Sequence, residues 1–116
     1  MKRRVLIVDD VADIRLMLRH LIEKGDYIIV AEAANGVEAV EKYHEHLPDI
    51  TIMDIDMPFK TGVEAAREIC AVADSARIIF CSGGLSNYSA VPLEMGGHSI
   101  VRKPFLPAQL YQAMAK

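Results

Sequence analysis

The sequence predicts an α/β chain, a parallel sheet with helices on both faces, and three observations carry that expectation. Short apolar runs recur along the 116 residues. Between them stand stretches whose apolar residues keep helical spacing. The remaining connections are short and rich in turn-forming residues, so strands and helices alternate as parallel βα repeats require.

Val5-Leu6-Ile7-Val8 is a continuous apolar run, the pattern of a strand covered on both faces, and it ends at Asp9-Asp10. Val11, Ile14, Met17, Leu18, Leu21 and Ile22 then share one helical face, with Arg15, Arg19 and Glu23 opposite, and Gly25 is placed to end that helix. Tyr27 to Val30 is β-rich and gives a second strand. Asn35-Gly36 turns the chain into a second helix with the stripe Val37, Val40, Tyr43 and Leu47.

Pro48-Asp49 and Pro58 bound the third apolar run, which begins at Ile50 and delivers Asp54 to the end of a buried strand. Helical spacing resumes only at Val63, too far on for Asp54 to be a helix cap; Gly62, Val63, Ala66, Ile69, Cys70 and Ala73 mark the third helix. Arg77 to Cys81 is a fourth strand ending at Ser82-Gly83-Gly84. By position Leu85 to Met95 is the fourth helix, short or broken because Pro92 lies inside it. Ile100 to Arg102 is a fifth strand before Lys103-Pro104, and Leu106, Leu110 and Met114 stripe a fifth helix.

Composition bounds the function. Residues 1–116 are expected to form one domain, long enough to bury a core without disulfides or a structural metal. A net charge of -3 and a pI near 5.8 argue against a nucleic-acid surface. The basic start Met1-Lys2-Arg3-Arg4 precedes only four apolar residues, which is neither a signal peptide nor a membrane span. Cys70 and Cys81 lack any metal-binding spacing and read as free thiols in a reducing cytoplasm. His44 and His46 stand two apart on a helix, so they point away from each other and read as solvated.

In open parallel sheets the site lies beyond the carboxyl ends of the strands, where strand order reverses. Asp9 and Asp10 end the first strand, Asp54 the third, Ser82 the fourth and Lys103 the fifth, so all five belong to one edge. Were the first and third strands neighbours, three carboxylates would crowd together. Two unit charges about 4 Å apart repel by roughly 4 kcal/mol at an effective dielectric near 20. A divalent cation relieves this, and oxygen ligands without His or Cys suit Mg²⁺ or Mn²⁺. Lys103 is a compact cation of the kind used on phosphate, Ser82 a hydroxyl donor, and Asp54 a candidate nucleophile. Singly these residues have bland readings as a helix cap, a loop serine and a solvated lysine; their joint placement is what those readings leave unexplained.

This pattern resembles the receiver domain of two-component response regulators along essentially the whole chain. The residues that carry it are Asp9-Asp10, Asp54 with Met57-Pro58 and Gly62, Ser82 with a small residue after it, and Lys103-Pro104-Phe105. Met53-Asp54-Ile55-Asp56-Met57-Pro58 and Ile79-Phe80-Cys81-Ser82 are most similar to the single-domain chemotaxis type. The resemblance implies a flavodoxin-like doubly wound sheet of order 2-1-3-4-5 and a phosphoryl group passed from a histidine kinase to Asp54. It implies that Asp10, Asp54 and the backbone carbonyl of Asp56 bind Mg²⁺ directly, with Asp9 acting through water, and that Ser82 and Lys103 hold the phosphoryl oxygens. Pro58, Gly62 and Pro104 are then structural neighbours of the site, the bond before Pro104 being often cis in the family. A downstream protein or an output domain would read the change on the face built from the fourth helix, fifth strand and fifth helix, in a cytoplasmic monomer or weak dimer.

Three residues or segments depart from the family pattern. Ile100 occupies the position of a switch aromatic and has no ring to swing, so aromatic gating is not expected. Gly83-Gly84 and Pro92 make the segment after Ser82 less helical than usual, and Asp56 places an acid where many members are neutral. Two other functions compete. A haloacid dehalogenase-like phosphatase also uses Asp-x-Asp after a strand, but there that strand comes first, and this chain lacks room for a cap domain. A degenerate receiver, an interaction module without the switch, fits Ile100 and the glycines but not the complete set of acids, Ser82 and Lys103.

Overall fold

Five parallel strands, β1 (Arg3–Val8), β2 (Tyr27–Ala33), β3 (Ile50–Asp54), β4 (Ile78–Ser82) and β5 (Ser99–Arg102), form one sheet in the order β2-β1-β3-β4-β5. Helices α1 (Ala12–Glu23), α2 (Gly36–His46), α3 (Gly62–Val72) and α4 (Pro107–Ala115) follow β1, β2, β3 and β5. This computed structural model describes residues 2–73, 75–82, 99–102 and 107–115, and only the backbone of 82 and 99–102. The irregular helix expected over Leu85–Met95 lies outside the described residues, as do Lys103, Pro104 and Leu106. The doubly wound order expected from the resemblance is the order found.

Alternation along each strand explains the continuous apolar runs. Leu6, Val8, Met53, Ile78 and Phe80 bury one face of the sheet with Ala39, Tyr43, Val63, Ala66 and Ile69 of α2 and α3. Val5, Ile7, Ile50, Ile52, Ile79 and Cys81 bury the other with Leu18, Ile22, Leu110, Ala113 and Met114 of α1 and α4. Side chains point to opposite faces with period two, so a strand covered twice is apolar at nearly every position, with Thr51 the buried polar exception inside β3. On the second face the Tyr111 hydroxyl donates to the Leu21 carbonyl at 2.8 Å, which ties α4 to α1.

Several expected details are corrected. β2 runs on past Val30 to Ala33, because a bulge opposite Val5 and Leu6 leaves Val30 unpaired and lets pairing resume at Ala31. Val11 and Met17, read as part of the buried stripe of the first helix, are 48% and 41% exposed; Leu18 and Ile22 carry the contact. Val11 is the N-cap and stands outside the helical period. The first helix ends at Glu23 with Lys24 as a right-handed C-cap, and Gly25 follows directly, at the place expected to end the helix.

In α2 the buried positions are Gly36, Ala39 and Tyr43, with Val40 packed partly buried against the same core, while Val37 and Leu47 of the expected stripe are exposed. Gly36 sets that rotation, since a Cβ there would lie 2.3 Å from the Lys60 carbonyl oxygen. Leu47 is the C-cap, at φ 47° and ψ 61°, which turns its side chain off the helical face. The Arg4 guanidinium donates to its carbonyl at 3.1 Å. The basic start of the chain thus closes helix ends, Arg3 doing the same for the Met114 carbonyl at 3.1 Å.

A left-handed backbone costs a non-glycine residue about 1–2 kcal/mol, and glycine loses about 0.5–1 kcal/mol more entropy on folding. Leu47→Gly is therefore expected to raise stability by about 0.5–1 kcal/mol in urea unfolding. A core leucine would instead lose about 2–5 kcal/mol on losing its side chain, and such a loss would return Leu47 to the core.

Candidate functional site

The sheet order reverses at β1, whose neighbours are β2 and β3. Register then builds the site. Val8 pairs with Met53, so the next residues, Asp9 and Asp54, come level across the β1/β3 boundary. Ligand atoms of Asp9, Asp10 and Asp54 lie within 4.8 Å of one another. Asp9 and Asp54 are buried, at 1% and 7% exposure, while Asp10 is exposed. The three carboxylates expected to crowd are thus brought together by two strand ends.

Asp9 is held at every backbone group. Its N–H donates to the Ala33 carbonyl at 3.1 Å, and its carbonyl accepts from Arg15 Nη1 at 2.7 Å. Its Oδ1 accepts from the Val11 N–H at 2.9 Å, an Asx-type turn. The paired acids do not cap the first helix: Val11 is the N-cap and makes no side-chain cap bond.

Asp54 sits at the end of a strand buried throughout. Beyond it the Ile55 N–H donates to the Cys81 carbonyl at 3.3 Å, and the Gly62 N–H donates to the Ile55 carbonyl at 2.8 Å. α3 therefore starts against the backbone of the acid itself. A Cβ on Gly62 would stand 2.0 Å from the Asp54 carbonyl oxygen, so only glycine fits.

Between them the chain makes a tight loop. Met57 is buried and Pro58 exposed. The Lys60 N–H donates to the Pro58 carbonyl at 2.8 Å around Phe59, which has φ 69° and is 88% exposed. A bond between residues two apart with positive φ at the centre is the form of the rare γ-turn. Thr61 then caps α3 through a capping box: its Oγ1 accepts from the Glu64 N–H at 3.2 Å, and its own N–H donates to Glu64 Oε1 at 3.0 Å. Hydrogen bonds donated to its carboxylate, first by the Thr61 backbone N–H and then by the Thr61 hydroxyl, hold the Glu64 carboxyl below its ordinary pKa.

Asp56 is exposed, and its carboxylate is not part of the three-acid cluster. Ser82 ends β4, next to the strand that carries Asp54, and pairs with Arg102 of β5. Ile100 lies in β5 opposite Phe80. Lys103 and Pro104 fall outside the described residues. Residue reading missed Thr61, although Thr-x-x-Glu before a helix was a visible signal. It placed Arg15 on the polar face of the first helix and did not single out Glu32, and no local pattern marks the two as partners.

Three carboxylates with two buried suit a hard cation: Mg²⁺ takes oxygen ligands at about 2.1 Å and keeps waters in its remaining positions. The donor set fits that ion and offers nothing soft.

Comparison with known proteins decides the family. The profile of the response regulator receiver domain matches residues 5–115. The chain belongs to that family. The receiver is 44% identical to the chemotaxis protein CheY of Thermotoga maritima over 117 residues, covering 100% of this chain and 98% of that one. It is 41% identical to CheY of Bacillus subtilis with the same coverage. Among solved structures it superposes on a LuxR-family response regulator from Aurantimonas with a TM-score of 0.89 at 37% identity, covering 99% of this chain and 84% of that one. The CheY of a Borrelia burgdorferi CheX-CheY-BeF3-Mg²⁺ complex matches with a TM-score of 0.87 at 31% identity, over 97% of this chain and 86% of that one. The receiver is a signalling domain of two-component systems with CheY-like relatives. No helix among its described residues is long and apolar enough to cross a membrane.

Gly62→Ala isolates the backbone contact behind Asp54. Alanine gains about 1 kcal/mol in helix propensity, while overpacking against a backbone atom costs about 3 kcal/mol. A net loss of about 2 kcal/mol is expected in urea unfolding; unchanged or raised stability would show that the close approach is not needed.

Proposed function

We propose that this receiver is a phosphoryl-accepting switch in which Asp54 is the acceptor. An Asp54 carboxylate oxygen attacks the phosphorus of a kinase phosphohistidine, the P–N bond breaks, and the imidazole nitrogen leaves with the electron pair and takes up a proton. The product is an acyl phosphate on Asp54. Bound Mg²⁺ supplies positive charge against the carboxylates and the incoming phosphoryl oxygens. Asp10, Asp54 and the Asp56 carbonyl would hold it directly and Asp9 through water, with Mn²⁺ as a substitute. Ser82 and Lys103 are assigned the phosphoryl oxygens on the family pattern. The observation that carries the reading is the cluster of Asp9, Asp10 and Asp54. The Borrelia CheY solved with BeF3 and Mg²⁺ supports the choice of ion.

The chain acts once on itself and slowly hydrolyses its own product, so it is a switch and not a turnover enzyme. Reversing a two-state population from 1:99 to 99:1 takes about 5.5 kcal/mol of differential binding. Charge-assisted hydrogen bonds at roughly 1.5–3 kcal/mol each reach that with two to four contacts. A downstream protein would read the change on the face that includes β5 and the last helix. Ile100 stands in place of an aromatic, so no swinging ring carries the change. Histidine kinase and target meet the domain in the cytoplasm, a setting that suits the reduced thiols of Cys70 and Cys81.

Intact-mass measurement after incubation with a small-molecule phosphodonor and Mg²⁺ tests this. One phosphoryl group is expected on the wild type and none on Asp54→Asn. An unmodified wild type would contradict the switch and favour an interaction module that works without phosphorylation.

A further inference from the structure

We infer that Arg15 and Glu32, two side chains outside the acid cluster, position it for the metal. The inference rests on the cation reading above and adds the device that holds the ligands in place. Arg15 Nη1 donates to the Asp9 carbonyl at 2.7 Å, and Arg15 Nε donates to Glu32 Oε1 at 3.1 Å. Glu32 lies in β2 and pairs with Ile7, two residues before Asp9. One guanidinium thus spans from the acid-bearing turn to the edge strand, and both residues are partly buried.

The need for such a strap follows from what the turn lacks. Val11 caps α1 without any side-chain bond, whereas α2 and α3 have Asn35 and Thr61 at that position. The turn of Asp9 and Asp10 is therefore fixed by the Asp9 bonds to Val11 and Ala33 and by Arg15. Asp10 is exposed and follows directly, so its placement depends on how firmly Asp9 is held.

Charge decides why the strap has two members. A lone guanidinium beside the cluster would repel a cation. Glu32 offsets one of the two positive charges it accepts from, taking Arg19 Nε at 3.0 Å as well as Arg15, and Glu23 lies 3.9 Å from Arg19 Nη1, so the four side chains together are neutral. Glu32 accordingly orients Arg15, and together with Glu23 it keeps the strap from opposing the metal. Arg19 shares the same carboxylate and has no bond to Asp9, which makes it the natural control. Groups that orient metal ligands from behind change metal affinity about 10–100-fold when removed.

The experiment is a calorimetric Mg²⁺ titration of the full chain without phosphodonor, with a thermal melt of each variant in the absence of the ion. Arg15→Met and Glu32→Gln are expected to weaken Mg²⁺ binding about tenfold. Arg19→Met is expected to lower the melting temperature and to bind Mg²⁺ within about twofold of wild type. Undiminished binding by Arg15→Met beside a wild type that binds would overturn the inference alone, as would an Arg19→Met impaired as much as Arg15→Met. A wild type with no saturable binding would overturn the cation reading and this inference with it.

Discussion

Like charges forced into proximity are the constraint around which this domain is built. Asp9, Asp10 and Asp54 bring carboxylate oxygens within 4.8 Å of one another, and two of the three are buried. Two bare unit charges at that separation repel by about 3–4 kcal/mol at an effective dielectric near 20, and water screens this at the exposed Asp10. Folded proteins are stable by only about 5–15 kcal/mol, so acids this close call for opposite charge or hydrogen bonds beside them. The sheet holds the arrangement: β1 and β3 are adjacent, in register, and packed on both faces by apolar side chains.

The same logic explains the unusual backbone near the acids. Gly62 lets α3 begin against the Asp54 carbonyl, and Gly36 lets α2 lie against the Lys60 carbonyl. The loop between Asp54 and Thr61 is therefore gripped by two helix starts, and Phe59 is left in a left-handed turn with its ring in solvent. Strain of that kind is tolerated where surrounding packing fixes the chain, and it gathers at functional sites. The strand ends are thus joined to the starts of α2 and α3 by backbone contacts, without any long side chain as intermediary.

Much of this was legible in the residues because the signals are local. Continuous apolar runs marked the strands, and the acids at their ends followed from where those runs stop. Strand order was not local; it came from the resemblance, and the observed β2-β1-β3-β4-β5 agrees with it. Helix faces were read less well. Spacing alone treats Val37 and Leu47 as equals of Tyr43, yet the rotation of α2 is set by a glycine contact with a distant loop and its end by a left-handed cap. The bulge at Val30 was hidden for the same reason, since it depends on how β2 meets β1. Arg15 and Glu32 are 17 positions apart and become partners only when the sheet forms. Arg3 and Arg4, which the residues mark only as a basic start, close α4 and α2.

The central claim is that two strand ends create one cation pocket. Paramagnetic broadening of backbone amide resonances by substoichiometric Mn²⁺ tests it without reference to phosphorylation. The amides of Asp9, Asp10 and the residues from Asp54 to Asp56 are expected to broaden first and together. Broadening that begins elsewhere on the surface, or that reaches Asp9 and Asp10 without Asp54, would contradict a shared site.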